Sequence, residues 1–296
     1  MPRYVDHVPS PAAAQPRALI VTLYGLYART GRGSQAEIAP AASGSAAVGG
    51  DGWLPISLLV RLFAELDVDE PAVRSAISRL KRRGLLHGSR RRGVAGYGLT
   101  DSAAAILAEG DARIFAPTEP RLADGWLLAV FSVPESERTK RHVLRTQLGA
   151  LGFGACAAGV WVAPAHRLEL TRASLERHGL TAYVNLWQAG YLAFGDIVEH
   201  AATWWDLDGV RAAYQEFMRS YATDEREPTD PAVAFAAWVR VLTAWRRLPY
   251  LDPGLPVELL PADWPAPAAR AVFGAARDRL AGLANDFVNT NGAGDY

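Results

Sequence analysis

The sequence predicts an α+β protein in three parts: an N-terminal winged helix-turn-helix, a central ferredoxin-like βαββαβ domain and a helical C-terminal domain. Three observations predict it. A helix signature beginning at Asp69 runs into two short strand-like stretches around an arginine-rich tip. Between Trp126 and Trp187, apolar runs of strand length alternate with amphipathic helical patterns. From Trp204 onward only helical periodicity remains.

The N-terminal domain is expected over residues 17–116. Arg17 to Arg29 (RALIVTLYGLYAR) carries Leu19, Ile20, Leu23, Leu26 and Tyr27 as the stripe of a first helix. Thr30 to Gly52 dissolves into Gly, Ser and Ala, a composition that cannot offset its ordering entropy by burial, so a long mobile loop is expected. Pro55 to Leu66 is a second helix opening with proline. Asp69-Glu70-Pro71 then supplies an acidic first turn for a third helix, Glu70 to Arg83. Val73, Ala76, Ile77 and Leu80 fall on one face of that helix, and Arg74, Ser75, Ser78, Lys81 and Arg82 on the other. Gly84 is a C-cap residue, after which two strands flank Ser89-Arg90-Arg91-Arg92-Gly93 as a wing ending in Tyr97-Gly98-Leu99-Thr100. Asp101 is expected to cap one more helix reaching about Phe115, with Pro117 and Pro120 closing the domain.

The central domain is expected over residues 121–198. Trp126 to Val133 reads as a buried strand, Glu135 to Leu151 as a helix, Phe153 to Ala155 with Gly159 to Ala163 as a hairpin, His166 to His178 as a helix, and Thr181 to Trp187 as a last strand. Such a sheet carries both helices on one side and leaves the other open for pairing. The third domain, 199–288, is expected to hold helices at Asp208 to Tyr221, Asp230 to Arg247 and Pro265 to Val288. Trp204, Trp205, Trp238, Trp245 and Trp264 suit a ligand pocket, a dimer contact or plain core packing, and spacing does not choose among them.

Charge points to a function. Between Glu70 and Gly93 eight arginines and lysines face one glutamate, in a chain whose net charge is zero. A local cationic field of this kind, on a helix and its adjoining wing, fits a phosphate backbone, because each neutralised phosphate releases condensed counterions. The candidate DNA-binding residues are Arg74, Ser75, Ser78, Arg79, Lys81 and Arg82 on the helix and Arg90, Arg91 and Arg92 on the wing. Arg74 and Arg82 are placed to donate to guanine O6 and N7, with phosphate contact as the competing reading. Arg79 sits nearer the flank, and the wing arginines suit phosphate or the minor groove. The partner expected is a double-stranded DNA operator.

Other classes find little support. Cys156 is the only cysteine, which rules out an intramolecular disulfide framework and reads as a small buried residue. His7, His87, His142, His166, His178 and His200 lack metal-ligand spacing, and no glycine-rich phosphate loop or nucleophilic triad is present, so no metal and no cofactor is expected. Val8 to Pro16 lacks the pattern of a signal peptide and is expected to be a flexible leader, giving a cytoplasmic protein with no membrane partner. Thr146 to Ala165 is free of charge but interrupted by Gly149, Gly152, Gly154, Gly159 and Pro164, so it reads as a buried hairpin rather than a membrane span.

The phrases RALIVTLYGLYAR, VRSAISRLKRRGLL with YGLT behind it, GFGACAAGVWVAP and LPYLDPGLPVELLPADWP give the chain a resemblance to the PaaX family of bacterial repressors of phenylacetate-degradation genes. These cover most of the chain in order, and the last two are the more specific. The resemblance implies a winged-helix domain, a central domain similar to Cas2 proteins, a helical C-terminal domain, a homodimer, and release from DNA by an aryl-CoA thioester such as phenylacetyl-CoA. By position it places the recognition helix on Glu70 to Arg83 and the wing on Arg90 to Arg92, whereas Thr30 to Gly52 is longer than the family's connection. No effector-binding residue follows from it. Lys140, Arg141 and Arg145 could hold CoA phosphates or form a solvated helix face. An enzyme on the Cas2-like domain, acting on nucleic acid or a CoA ester, is the alternative, yet the first strand ends Phe131-Ser132-Val133-Pro134 without a carboxylate. A protein-interaction module is the third reading, and a non-enzymatic DNA-binding repressor is the reading preferred.

Overall fold

The structure is a computed structural model that describes residues 15–29, 51–115, 118–192, 194–222 and 228–292. In chain order its N-terminal elements are α1 (Pro16–Tyr27), β1 (Trp53–Pro55), α2 (Ile56–Ala64), α3 (Glu70–Arg82), β2 (Leu86–Arg91), β3 (Val94–Leu99) and α4 (Asp101–Phe115). There follow β4 (Trp126–Phe131), α5 (Arg138–Ala150), β5 (Gly154–Ala157), β6 (Val160–Pro164), α6 (Leu168–Arg177) and β7 (Val184–Ala189). The remaining helices are α7 (Ile197–Trp204), α8 (Leu207–Tyr221), α9 (Pro231–Trp245), α10 (Leu248–Leu251) and α11 (Ala266–Gly292). Helix and sheet are mixed along the chain, as expected. The expected mobile loop lies, apart from Asp51 and Gly52, outside the described residues, as does most of the N-terminal leader.

The chain divides into two compact units. One is Met1–Ala116 with Phe217–Arg246 and Ala268–Tyr296; the other is Pro117–Glu216 with Arg247–Pro267. Residues of the third expected segment are therefore shared between the two.

In the first unit, β1, β3 and β2 form an antiparallel sheet in that order. The sequence predicts a helix from Pro55, but Trp53–Pro55 pairs with β3 before α2 begins, a strand too short for its periodicity to register. The apolar stripes do what amphipathic helices require. Leu23 of α1, Leu58, Leu59, Leu62 and Phe63 of α2, and Val73 and Ala76 of α3 are fully buried. Trp238 and Phe235 of α9 are buried in the same unit, and Thr22 of α1 meets Thr243 of α9 hydroxyl to hydroxyl at 2.9 Å. Arg29 and Asp111 make a buried two-pronged ion pair that ties the end of α1 to α4, with one bond of 2.6 Å. Thr100, rather than the expected Asp101, caps α4: its hydroxyl accepts from the Ala103 N–H at 3.3 Å and lies 2.7 Å from the Gly84 carbonyl.

In the second unit the four strands lie in the order β5-β6-β4-β7, all neighbours antiparallel. With the chain order β-α-β-β-α-β, this is the ferredoxin-like arrangement. One face packs Leu127, Ala129 and Ala163 against Leu144 and Leu148 of α5 and Leu175 of α6. The opposite face was expected to be open. Instead Trp126 and Val162 are covered by Ala201 of α7, by Trp205, and by Leu255 and Leu259. Helix α7 had escaped the sequence reading, which begins the helical region at Trp204. The expected last strand starts three residues late, because Thr181–Tyr183 is a single 3-10 turn. Trp205, Trp238 and Trp245 are core residues; the Trp205 indole N–H donates to the Gly152 carbonyl at 2.9 Å, and Gly154 has no room for a Cβ beneath that ring. No helix among the described residues is long and apolar enough to cross a membrane.

Candidate nucleic-acid interface

Helix α3 forms because its ends are fixed chemically. The Asp69 carboxylate accepts from the Ala72 N–H at 2.8 Å, and Pro71 sits where no N–H is needed. At the other end the Leu85 N–H reaches the Leu80 carbonyl and the Gly84 N–H that of Lys81, with Gly84 at a φ of 68°, a left-handed stop that glycine adopts without a Cβ penalty. Val73, Ala76, Ile77 and Leu80 are buried as predicted, and Arg74, Ser75, Ser78, Arg79, Lys81 and Arg82 are all exposed.

At roughly 100° per residue, Ser75, Ser78 and Arg82 point most directly away from the buried stripe. Arg74 and Lys81 lie on one flank, and Arg79 on the other. The Lys81 ammonium stands 5.6 Å from the centroid of the Tyr97 ring on β3, which sets that flank beside the hairpin. Arg74 is paired with Glu70 one turn back, its Nε donating at 2.6 Å, and both side chains are about half exposed. Such an exposed pair is worth only about 0.3–0.5 kcal/mol, so Arg74 is readily available to another anion.

The hairpin is tighter than its sequence suggested. Arg91 pairs with Val94, leaving a two-residue turn of Arg92 and Gly93 with φ values of 46° and 86°, the doubly positive turn that matches strand twist. Only Arg92 of the three wing arginines therefore occupies the tip. Arg90 lies on β2 and donates to the Gly93 carbonyl at 3.1 Å. Arg91, also on β2, is turned toward the body: its guanidinium lies 4.8 Å from the Trp53 ring centroid and pairs with the Asp51 carboxylate. Sequence reasoning missed Asp51 and Trp53 as the partners of Arg91 and Tyr97 as the partner of Lys81. The one available signal was Gly96, whose Cβ would come within 2.2 Å of the Trp53 indole, so that glycine marks the ring's resting place.

Away from this surface several of the other candidate groups have partners within the fold. Arg141 donates to Glu135 at 2.9 Å and to the Val133 carbonyl at 2.6 Å, and Arg145 stands 5.9 Å from the Trp161 ring centroid. Glu137 accepts from the Tyr183 hydroxyl at 2.9 Å, so the two glutamates that follow the first central strand both have structural partners. Cys156 is half-buried, and burial pushes its thiol up to about 11, far from a nucleophile at neutral pH.

Three family models match the chain in order. Residues 44–103 match PaaX-like protein, residues 119–201 the PaaX protein central Cas2-like domain, and residues 205–290 the PaaX-like protein C-terminal domain. The chain belongs to the PaaX family. Among curated proteins it is similar to the transcriptional repressor PaaX of Escherichia coli (strain K12), 28% identical over 256 residues, covering 82% of this chain and 79% of that one. Among solved structures it resembles the uncharacterized protein Rv0674 from Mycobacterium tuberculosis, with 27% identity and a TM-score of 0.52 over 80% of this chain and 92% of the other. The PaaX-like match ends at residue 103 and so takes in α3 and the whole hairpin.

Proposed function

We propose that this PaaX family member is a transcriptional repressor that binds a near-palindromic DNA operator as a homodimer. In this reading α1 to α4 with β1 to β3 form a winged helix-turn-helix, α3 enters the major groove, and the β2–β3 hairpin is the wing. The observation that carries it is the contact of α3 with the hairpin at Lys81 and Tyr97, with Arg74, Arg79 and Arg82 exposed on the helix and Arg90 and Arg92 exposed on the hairpin. The similarity to the PaaX repressor supports control by repression. Ser75, Ser78 and Arg82 read base edges, Arg74 and Lys81 approach from the wing side, and Arg90 and Arg92 neutralise phosphates. An aryl-CoA such as phenylacetyl-CoA releases the complex by favouring a subunit arrangement whose half-site spacing no longer fits, with a coupling of about 1–3 kcal/mol. The protein does its work without catalysis or cofactor.

Selection from a random-duplex library with the full chain, followed by gel-shift titration of the enriched sequence, tests this directly. The expected result is a two-fold related motif bound specifically and released by phenylacetyl-CoA. No enrichment and no shift at low salt would overturn DNA recognition, while a specific shift insensitive to any aryl-CoA would overturn the effector.

A further inference from the structure

Where the last turn of α3 meets the hairpin, the strands form a seat for a cation. The Lys81 ammonium lies 5.6 Å from the Tyr97 ring centroid, against the face of the hairpin that also holds Gly88 and Arg90. Strand pairing sets that face: Gly88 stands opposite Tyr97 and Arg90 opposite Ala95, so the four positions share one side of the sheet. Gly88 lies inside β2 with its φ outside the left-handed region, so the backbone there does not require glycine. The missing side chain makes room instead. A Cβ built at Gly88 would stand 3.5 Å from Lys81 Nζ and 3.5 Å from Tyr97 Cε1, so a methyl would touch both groups and a branched side chain would fill the ammonium's place. The ring itself is held from behind. Tyr97 is on the central strand, paired with Leu54 of β1 as well as with Gly88, and the buried Tyr24 of α1 donates its hydroxyl to the Tyr97 carbonyl at 2.9 Å.

We propose that Lys81 and Arg90 form a two-cation clamp for the phosphates of one DNA strand, and that Tyr97 and Gly88 are the positioning residues that hold Lys81 ready for it. The proposal rests on the DNA binding in the function proposed above. Its physical basis is ordering cost. A solvated lysine has a flexible four-carbon stem, and the freedom it loses on meeting a phosphate is charged against binding. On the seat that freedom is given up before DNA arrives. The π face attracts the ammonium without offering an acceptor oxygen, so N–H donors remain for phosphate. Arg90 is held in a similar way, since its Nη1 donates to the Gly93 carbonyl at 3.1 Å while the side chain stays exposed. It lies two residues beyond Gly88, about 7 Å further along the strand, so the two charges stand in a row along the hairpin.

The test is the affinity of the full chain for a random duplex, read by fluorescence anisotropy across a salt series. The variants are Tyr97→Phe, Tyr97→Leu, Gly88→Val and Lys81→Gln, with Tyr97→Leu and Gly88→Val repeated in the Lys81→Gln background. Melting curves confirm which variants are folded, and either Tyr97→Leu or Gly88→Val alone completes the cycle. Tyr97→Phe keeps the ring and should bind as wild type does. Tyr97→Leu and Gly88→Val should each lose roughly two- to tenfold in affinity, the cost of ordering one long side chain, with the salt slope unchanged because the charge is still present. Lys81→Gln should lower the slope by about 0.9, and in that background the other two substitutions should cost nothing more. Equal losses with and without Lys81 would show that the ring and the glycine act on the hairpin alone, which would overturn the seat and leave DNA binding standing. Unchanged affinity in folded Tyr97→Leu or Gly88→Val would do the same. A wild-type chain that binds no duplex at low salt would instead overturn the function on which the clamp rests.

Discussion

The guanidinium of Arg91 lies over the buried indole of Trp53, 4.8 Å from its centroid, while the Asp51 carboxylate holds it from the side. Trp53 belongs to β1 and Arg91 to β2, the two outer strands that flank β3, so the contact braces the hairpin across the full width of the sheet. The arginines of the wing thus have different tasks: Arg92 is presented at the turn, and Arg91 orients the strand that presents it.

Two substitutions separate these tasks. Arg91→Ala should weaken binding to every duplex through a looser hairpin, yet leave the slope of log affinity against log salt within a few tenths of wild type. Asp51→Asn removes a carboxylate and frees the guanidinium, so affinity for random duplex should rise and the slope should steepen by up to about 1. A slope that flattens in Arg91→Ala would return Arg91 to the set of phosphate contacts.

Arg82 is the side chain of α3 most directly opposed to the buried stripe, and Arg74, exposed but paired with Glu70, must leave that carboxylate to meet another anion. Replacing Arg82 with Ala should cost roughly 1–3 kcal/mol on the operator beyond its cost on random duplex. Arg74→Ala should show a smaller differential. Competition binding measures both, and equal losses on the two duplexes would make either residue a phosphate contact.

Helices of several turns were legible in the sequence because their apolar spacing and their caps agree. Asp69, Pro71 and Gly84 mark α3 to within a residue, and its exposed and buried faces follow from the same spacing. The β-α-β-β-α-β order was legible for the same reason. Short elements were not. β1 has three residues, α7 has eight, and the turn at Arg92 and Gly93 depends on register, which no single strand reveals. The division of labour among the arginines was also invisible, because the Asp51 and Trp53 partners of Arg91 lie about 40 residues away in the chain. The open sheet face was misjudged because α7 and Leu255, far apart in sequence, cover it together.

The ion pair of Arg29 and Asp111 should matter to stability more than any exposed pair. The side chains are only 12% and 5% exposed, so removing one partner strands a charge where water cannot reach it. Asp111→Ala should lower unfolding free energy by about 3–5 kcal/mol in urea titration, if the first unit unfolds in one step. The surface pair of Arg172 and Glu169 serves as the control, with an expected change of about 1 kcal/mol or less. Similar effects at both sites would show that Asp111 is not confined as described.

Cys156 should behave as packing material. With its thiol raised to about 11 by burial, the thiolate is a trace species at pH 8 and grows as pH climbs toward that value. Iodoacetamide labelling of the native chain should be much slower than that of the urea-unfolded chain at pH 8, and should accelerate with pH. Equal rates in the two states would show an accessible, ordinary thiol.

The account turns on cations of α3 and the hairpin meeting one duplex together, and its most direct test is the salt dependence of binding to a random duplex. Each phosphate contact contributes about 0.9 to the slope of log affinity against log salt, so the triple variant Arg79→Gln/Arg90→Gln/Arg92→Gln, which takes cations from both α3 and the hairpin, should lose roughly 2–3 units of slope relative to wild type. Folded variant protein with the same slope as wild type would contradict the interface.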